Sequence, residues 1–330
     1  EVMEYKVQSL THLIQNDPDI DVLFQKYESD YVKKIDIDES VEFVKDLEWE
    51  HNRKVLCINS CMGSGKTSSI CRWIKANNPK RVIVLSPRIS YAKSITHEYN
   101  EKIGEDQVPF KCYKDLSKDD VGTYDRIVIS MESLHKLHYE HCLNNPFDLI
   151  VVDECQANLA SHTCTETNGK NFMNNSNSFY SMLRYSDKIL FCDAFINAKT
   201  IDYLTYFGLP TTLLNYQRPM KKRQATIIQG GKKEYDALLP YIKDDLQANK
   251  KLYVCMSSAN RCVEWCAELT KLFPHKKIRS YCKGEGKEIK DVRTEWEEYD
   301  CILTTTTITV GINFDILHFD RCYMAFSSRA

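Results

Sequence analysis

The sequence lacks an excess of charge of either sign. Over 330 residues the formal net charge is -2, so no overall basic field draws the chain to nucleic acid, and any such surface has to be a local groove. It lacks any apolar run near the ~18 residues that mark a transmembrane helix. Its acidic start, Glu1 and Glu4, is not that of a secretory signal. Fourteen cysteines are present, yet none are spaced Cys-x-x-Cys, and most lie inside apolar runs such as Val254-Cys255-Met256. Cys262 and Cys266 share a helical spacing, with no histidine near enough in sequence to complete a zinc site. These absences argue against a disulfide scaffold and predict buried free thiols in a reducing, intracellular compartment. What is there is ordinary globular composition, 43% hydrophobic and 27% charged, with room for two domains.

Short aliphatic runs alternate with helical patterns from residue 53 onward. Strands are predicted at Lys54 to Asn59, Arg81 to Ser86, Arg126 to Ser130, Leu149 to Asp153 and Lys188 to Cys192. A second series follows at Ala225 to Gln229, Lys251 to Met256, Lys277 to Tyr281, Asp300 to Thr304 and Arg321 to Phe326, with helices over Glu234 to Asn249 and Arg261 to Leu272. Runs that are continuously apolar, rather than alternating, predict strands covered on both faces, hence mostly parallel sheets flanked by helices. The fold class is therefore α/β with two domains. Residues 1–50 read as a helical N-terminal segment, 51–218 as the first domain and 219–330 as the second. The Asn-rich stretch at about 157–180 reads as a long loop or insertion. The polar, basic run Gln217 to Arg223 marks the boundary. With no Met at position 1, the sequence reads as a segment of a longer protein.

The chemistry sits at two strand ends. Ser60-Cys61-Met62-Gly63-Ser64-Gly65-Lys66-Thr67 follows the apolar run Val55 to Ile58 and precedes an amphipathic helix, Ser68 to Ala76. A strand, a glycine-bearing loop and a helix in that order make a phosphate cradle, with Lys66 reaching the β/γ oxygens and the Thr67 hydroxyl on Mg²⁺. Ser60 stands where the textual pattern has Gly, and a small residue suffices there because the turn around Gly63 and Gly65 does most of the wrapping. Leu149 to Val152 ends in Asp153 and Glu154. At the carboxyl edge of a parallel sheet the pair faces the same crevice, Asp153 to hold Mg²⁺ and Glu154 to polarise the attacking water.

In order along the chain, the motifs resemble those of a superfamily 2 helicase, most closely the herpesvirus origin-binding-protein type. Similar domains occur in large DNA viruses, sometimes fused to a primase. The matching residues are Ser60 to Thr67 (motif I), Val84 to Arg88 (Ia), Ile129 to Leu134 (Ib), Asp153-Glu154 (II), Cys192 to Phe195 (III), Val254 to Ser258 (IV) and Thr304 to Asp315 (V). The resemblance spans residues 53 to 328 and implies two tandem RecA-like domains, ATP and Mg²⁺ as cofactors, and DNA as partner, single-stranded or partly unwound. A primase or other replication proteins would be further partners. By position it implies strand contacts at Pro87, Arg88, Ser130, Ser257, Ser258, Thr306 and Thr307, and places Gly311 at the nucleotide. Alternatives stay open: Ser257 and Ser258 also fit the N-cap of the following helix, and Lys221-Lys222-Arg223 fits a solvated linker.

The sequence departs from that pattern in three places. Motif II reads Asp-Glu-Cys-Gln, Phe195 replaces the usual hydroxyl residue of motif III, and no Gln-x-x-Gly-Arg-x-x-Arg motif VI occurs before Ala330. That last motif supplies an arginine finger worth roughly 10³ to 10⁵ in rate. The resemblance implies the core of an ATP-dependent DNA helicase or translocase in replication, and the segment is expected to hydrolyse ATP slowly by itself. The alternative is a nucleotide-gated DNA-binding or scaffold module with little turnover.

Overall fold

Aliphatic runs with no polar face form parallel strands buried from both sides. In the computed structural model, residues 5–6, 31–117, 120–216, 226–227, 234–282, 292–305, 314 and 316–326 are described. The chain divides into two compact units, Gln8–Arg223 and Gln224–Ala330 with Glu1–Val7. Numbered along the chain, the strands are β1 (Tyr5–Lys6), β2 (Val32–Ile37), β3 (Val55–Asn59), β4 (Val82–Ser86), β5 (Lys111–Cys112), β6 (Arg126–Ser130) and β7 (Leu149–Asp153). They continue with β8 (Lys188–Asp193), β9 (Thr211–Tyr216), β10 (Thr226–Ile227), β11 (Leu252–Met256), β12 (Ile278–Tyr281), β13 (Cys301–Thr305) and β14 (Arg321–Ala325).

The larger unit holds an eight-stranded sheet in the order β2-β9-β3-β8-β7-β4-β6-β5, with every pairing parallel. β4, β6 and β7 are buried at every position, as their unbroken Val/Ile/Leu composition requires. Register sets Asn59 beside Asp193 and Asp153 beside Cys192, so three polar strand ends share one edge. At the opposite edge the buried Arg126 guanidinium donates to Val108 O and Pro79 O, each at 3.0 Å, and to Gln107 and Asn78 side chains. It fastens the entry of β6 to the loops before β4 and β5.

The smaller unit carries a four-stranded parallel sheet, β12-β13-β11-β14, and the antiparallel pair β1-β10. Helices Leu238–Gln247 and Ala259–Leu272 supply Ile242, Leu246, Trp265 and Leu269 to a core shared with Leu252, Val254 and Leu303. On helix Leu238–Gln247, the Asp245 carboxylate accepts from Lys250 Nζ (2.8 Å) and Tyr323 Oη (2.6 Å), and Arg321 lies 3.0 Å away.

Two sequence expectations need correction. Within the segment expected to be helical, Val32–Ile37 is a strand, the outermost of the large sheet, paired with β9 from Val32–Thr211 to Ile37–Tyr216. The stretch at about 157–180, expected to be a long loop or insertion, is not a loop but helical: Cys155–Thr163, Thr165–Asn168, a 3₁₀ turn at Gly169–Asn171 and Phe172–Tyr185. Its polar residues are stitched inward, Asn168 donating to Ser161 O (2.7 Å) and Cys164 O (2.8 Å), and Asn175 to Glu132 O (3.0 Å). No disulfide joins any of the fourteen cysteines.

Candidate nucleotide site and nucleic-acid interface

The loop after β3 turns at Gly63 (φ 72°) and Gly65 (φ 81°), left-handed values that glycine adopts without steric cost. Ser60 and Ser64 are buried, and their hydroxyls meet at 2.8 Å, closing the loop from within. This explains why serine serves at position 60: its hydroxyl makes a bond that glycine could not. Lys66 opens the helix Lys66–Asn77 and donates to the carbonyls of Ser60 (2.7 Å) and Cys61 (3.1 Å). Its ammonium thus lies over the loop's concavity, where it can be handed from carbonyl to phosphate oxygen. Thr67 is half-buried, and Met62 points outward, largely exposed.

The acidic pair converges on this loop because β8 lies between β3 and β7. Ser60 N–H donates to Asp193 O at 3.0 Å, joining the loop to the end of β8. Asp153, buried at the end of β7, accepts from the Glu154 N–H (3.1 Å) and from the Tyr91 hydroxyl. Burial raises its carboxyl above the usual range, against the opposing pull of Tyr91 and Lys66. Glu154 follows in a left-handed backbone conformation (φ 50°, ψ 55°), an uncommon one for a residue with a side chain. Burial first, then the neighbouring Asp153 and Asp193 charges, push its pKa up to about 7. A carboxyl held near neutrality is poised to take and return a proton.

Asp193 ties motif III to motif II. Its carboxylate accepts from Phe195 N–H (3.1 Å) and Gln156 N–H (2.9 Å), while Gln156 Nε2 donates to Thr200 Oγ1 at 2.6 Å. Thr200 stands on the next helix, Ala198–Tyr206, and Phe195 itself is more than half exposed. Tyr91, Thr200 and the segment before β3 join these residues without a signal in the sequence, and Val44 N–H of that segment donates to Ser64 O at 2.8 Å. Val44 O in turn accepts from Ser69 Oγ at 2.7 Å, and Phe43, exposed, lies against Gly65. Nothing in the local pattern of those residues flags them; each acts through a partner distant in sequence.

Among the expected strand contacts, Arg88 is exposed at the end of β4 while Pro87 is buried. Ser130 is buried too, its hydroxyl bonded to Tyr113 Oη (2.9 Å) and Ser133 Oγ (3.1 Å), so a strand contact there falls to backbone atoms. Ser258 caps helix Ala259–Leu272, accepting from Arg261 N–H at 3.4 Å, and Ser257 N–H donates to Ala325 O at 3.0 Å. Thr306, Thr307 and Gly311, with the basic run Lys221 to Arg223, lie outside the described residues.

A parallel sheet with a glycine-turned lysine loop and an acidic strand end defines a RecA-like fold. Solved structures agree: the DEAD-box helicase Mss116 bound to ssRNA and UDP-BeF aligns with a TM-score of 0.58 at 13% identity, over 83% of this chain and 61% of that one. The Mycobacterium smegmatis helicase Lhr bound to ssDNA and AMP-PNP aligns with a TM-score of 0.56 at 15% identity, over 82% and 40%. Within that class, the chain belongs to the origin of replication binding protein family of herpesvirus type, which matches residues 20–213. Among curated relatives, a putative replication origin-binding protein of Acanthamoeba polyphaga mimivirus is 26% identical over 86% of this chain and 36% of its own length. An uncharacterized putative helicase of the same virus is 24% identical, over 85% and 27%. The replication origin-binding protein of Human herpesvirus 6A is 22% identical, over 81% and 33%. The chain therefore spans about a quarter to a third of these relatives. Among the described residues no helix is long and apolar enough to cross a membrane.

Proposed function

We propose that this chain is the ATP-hydrolysing core of a viral-type DNA helicase or translocase acting in replication, with Lys66, Asp153 and Glu154 as its catalytic residues. The observation that carries this reading is the convergence of the Lys66 loop and the Asp153–Glu154 pair on one sheet edge, bridged by Asp193. Ser60, Met62, Gly63, Ser64, Gly65, Lys66 and Thr67 form the phosphate cradle. Asp153, Glu154 and Asp193 act on one another's charge with Lys66 as the opposing cation. The Asp153 carboxylate and the Thr67 hydroxyl offer oxygen donors of the kind Mg²⁺ prefers. Thr67 and Asp153 would hold the ion, which when bound would neutralise phosphate charge. Glu154 orients the attacking water and accepts its proton, and Lys66 binds the γ-phosphate oxygens as charge builds on them. Arg88 and the backbone around Ser130, Ser257 and Ser258 would contact the phosphates of a DNA strand, with little regard to sequence.

The test is Mg²⁺-dependent ATP hydrolysis in the full chain, with and without single-stranded DNA, alongside strand affinity at two salt concentrations. Hydrolysis stimulated by DNA, and salt-sensitive binding of two unrelated strands with similar affinity, is the expected result. Salt-insensitive binding of one strand only would overturn the phosphate-contact reading. The names of the herpesvirus relatives favour a second reading, a DNA-binding module gated by nucleotide. Under it, nucleotide changes strand affinity but turnover stays at the buffer rate.

A further inference from the structure

Tyr91 lies one turn inside helix Ile89–Ile103, whose N-cap is Arg88. It is buried on the face that also carries Ile95, Tyr99 and Ile103, spaced four residues apart. Its hydroxyl donates to Asp153 Oδ2, across the β4–β7 pairing. A second link runs between the same elements: Asn158, fully buried, donates from Nδ2 to Leu85 O (3.2 Å) and Asp153 O (2.5 Å). Asn158 fixes backbone to backbone, whereas Tyr91 reaches the carboxylate itself. Ser86 Oγ donates to Arg88 O at 3.1 Å, and the Ala92 N–H to the same carbonyl at 3.0 Å, so one carbonyl ties the end of β4 to the first turn of the helix.

We propose that Tyr91 is a positioning residue that carries strand occupancy at Pro87–Arg88 to the metal-holding carboxylate of Asp153. This rests on the nucleotide and strand sites proposed above. A strand phosphate seated at Arg88 shifts the first turn of the helix, and the tyrosine hydroxyl, three residues further on, shifts with it. Because the hydroxyl occupies one lone pair of Oδ2, its movement sets how Asp153 faces the phosphate loop. The chain thereby gains a route between strand and nucleotide that lies wholly in the larger unit and needs no motif III hydroxyl at position 195.

Tyr99 provides a matched control. It is a buried tyrosine two turns along the same helix face, edge-on to Phe110, and its hydroxyl has no hydrogen-bond partner among the described residues. Tyr91→Phe and Tyr99→Phe each remove one buried oxygen from that face, and only the first removes the bond to Asp153. The experiment measures the affinity of a fluorescent non-hydrolysable ATP analogue in the full chain, with Mg²⁺ or with EDTA, with and without single-stranded DNA. In the wild type and in Tyr99→Phe, DNA should tighten Mg²⁺-dependent nucleotide binding about five- to tenfold. In Tyr91→Phe that ratio should fall to within about twofold of unity. Strand affinity without nucleotide, and nucleotide affinity in EDTA, should stay at wild-type values. An unchanged ratio in Tyr91→Phe overturns the proposal, as does an equal loss in Tyr99→Phe, which would mean general packing. A wild type that binds both ligands with no coupling overturns it too. A wild type that binds no strand, or no nucleotide, overturns the underlying site reading and this proposal with it.

Discussion

In the larger unit the buried carboxylates Asp153 and Asp193 lie at the carboxyl ends of the strands; in the smaller one the buried carboxylate Asp245 sits on the helix Leu238–Gln247 beside the start of β14. Among the described residues, Asp153 and Glu154 have Lys66 as their counter-charge, and burial and carboxylate repulsion hold both above their usual range. Asp245 is the reverse. Burial pulls it up, but the hydrogen bonds from Lys250 and Tyr323 and the charge of Arg321 outweigh this and leave it below the usual carboxylate value. The described strand ends of the smaller sheet, Met256, Thr305 and Ala325, are apolar or hydroxyl-bearing. One unit thus keeps unrelieved charge where a ligand can complete it, and the other neutralises its own. An under-compensated carboxylate set destabilises the fold that carries it, so its presence points to binding chemistry; a compensated one points to architecture.

That contrast can be broken most sharply at Lys66. Replacing it with Ala should lower ATP hydrolysis by about a hundredfold or more, through loss of γ-phosphate stabilisation, and should lower the thermal stability of the larger unit alone, whose carboxylates lose their counter-charge. Steady-state turnover and calorimetry on the same sample check both halves. A Lys66→Ala chain that still turns over at half the wild-type rate would remove the site.

Arg126→Ala tests architecture within the larger unit. The guanidinium loses four partners and leaves Val108 O and Pro79 O without their donor, so the unit should lose about 2–4 kcal/mol. Hydrogen exchange of β4 and β6 peptides reads this directly, and peptides of β11 and β13 should be unaffected.

The pH dependence of the two carboxylates should differ in sign. Asp245 titrates below its unfolded value, so its stabilisation is present above that value and vanishes as pH falls through the folded one. Asp245→Asn should therefore cost about 1–3 kcal/mol at pH 7 and progressively less in acid. Glu154 titrates near 7, above its unfolded value of 4.5, so the native state loses stability as pH rises between the two. Glu154→Gln should be neutral at pH 4 and stabilising at pH 8, on the order of 1–2 kcal/mol because the side chain is partly exposed. Urea unfolding at three pH values would show it, and an Asp245→Asn gain at pH 7 would reverse the assignment. In the same Glu154→Gln chain nucleotide should still bind while hydrolysis stops.

The aliphatic strands β3, β4, β6, β7 and β8 and the residues at their ends were legible because fully buried parallel strands need unbroken runs, and the chemistry follows each run immediately. β2 was not. Val-Lys-Lys-Ile-Asp-Ile places charges within a strand of which only Val32 is fully buried, and such an edge segment shows no continuous run. The helices over 155–185 were missed for a different reason. Asn168 and Asn175 read as breakers, yet they satisfy backbone and side-chain partners that only the folded chain brings within reach. At the site, Lys66, Asp153 and Glu154 are consecutive with their strands and visible as text. Tyr91 and Thr200 depend on the spatial order β8-β7-β4, which no linear spacing records.

The pairing of β2 with β9 also sets a timetable for synthesis. Asp36 and the residue that donates to it, Asn215, are 179 positions apart. At ~5–20 residues per second β2 waits roughly nine to thirty-six seconds for its neighbour to emerge. β3 waits almost as long, since both its neighbours, β8 and β9, come late. The loop after β3 is therefore translated well before the strands that wall it, and its last bond to β8, from Ser60 N–H to Asp193 O, waits until Asp193 has left the ribosome. Lys33, Lys34 and Asp36 keep the waiting edge strand charged through that interval, which protects the nascent chain from pairing with another copy of itself.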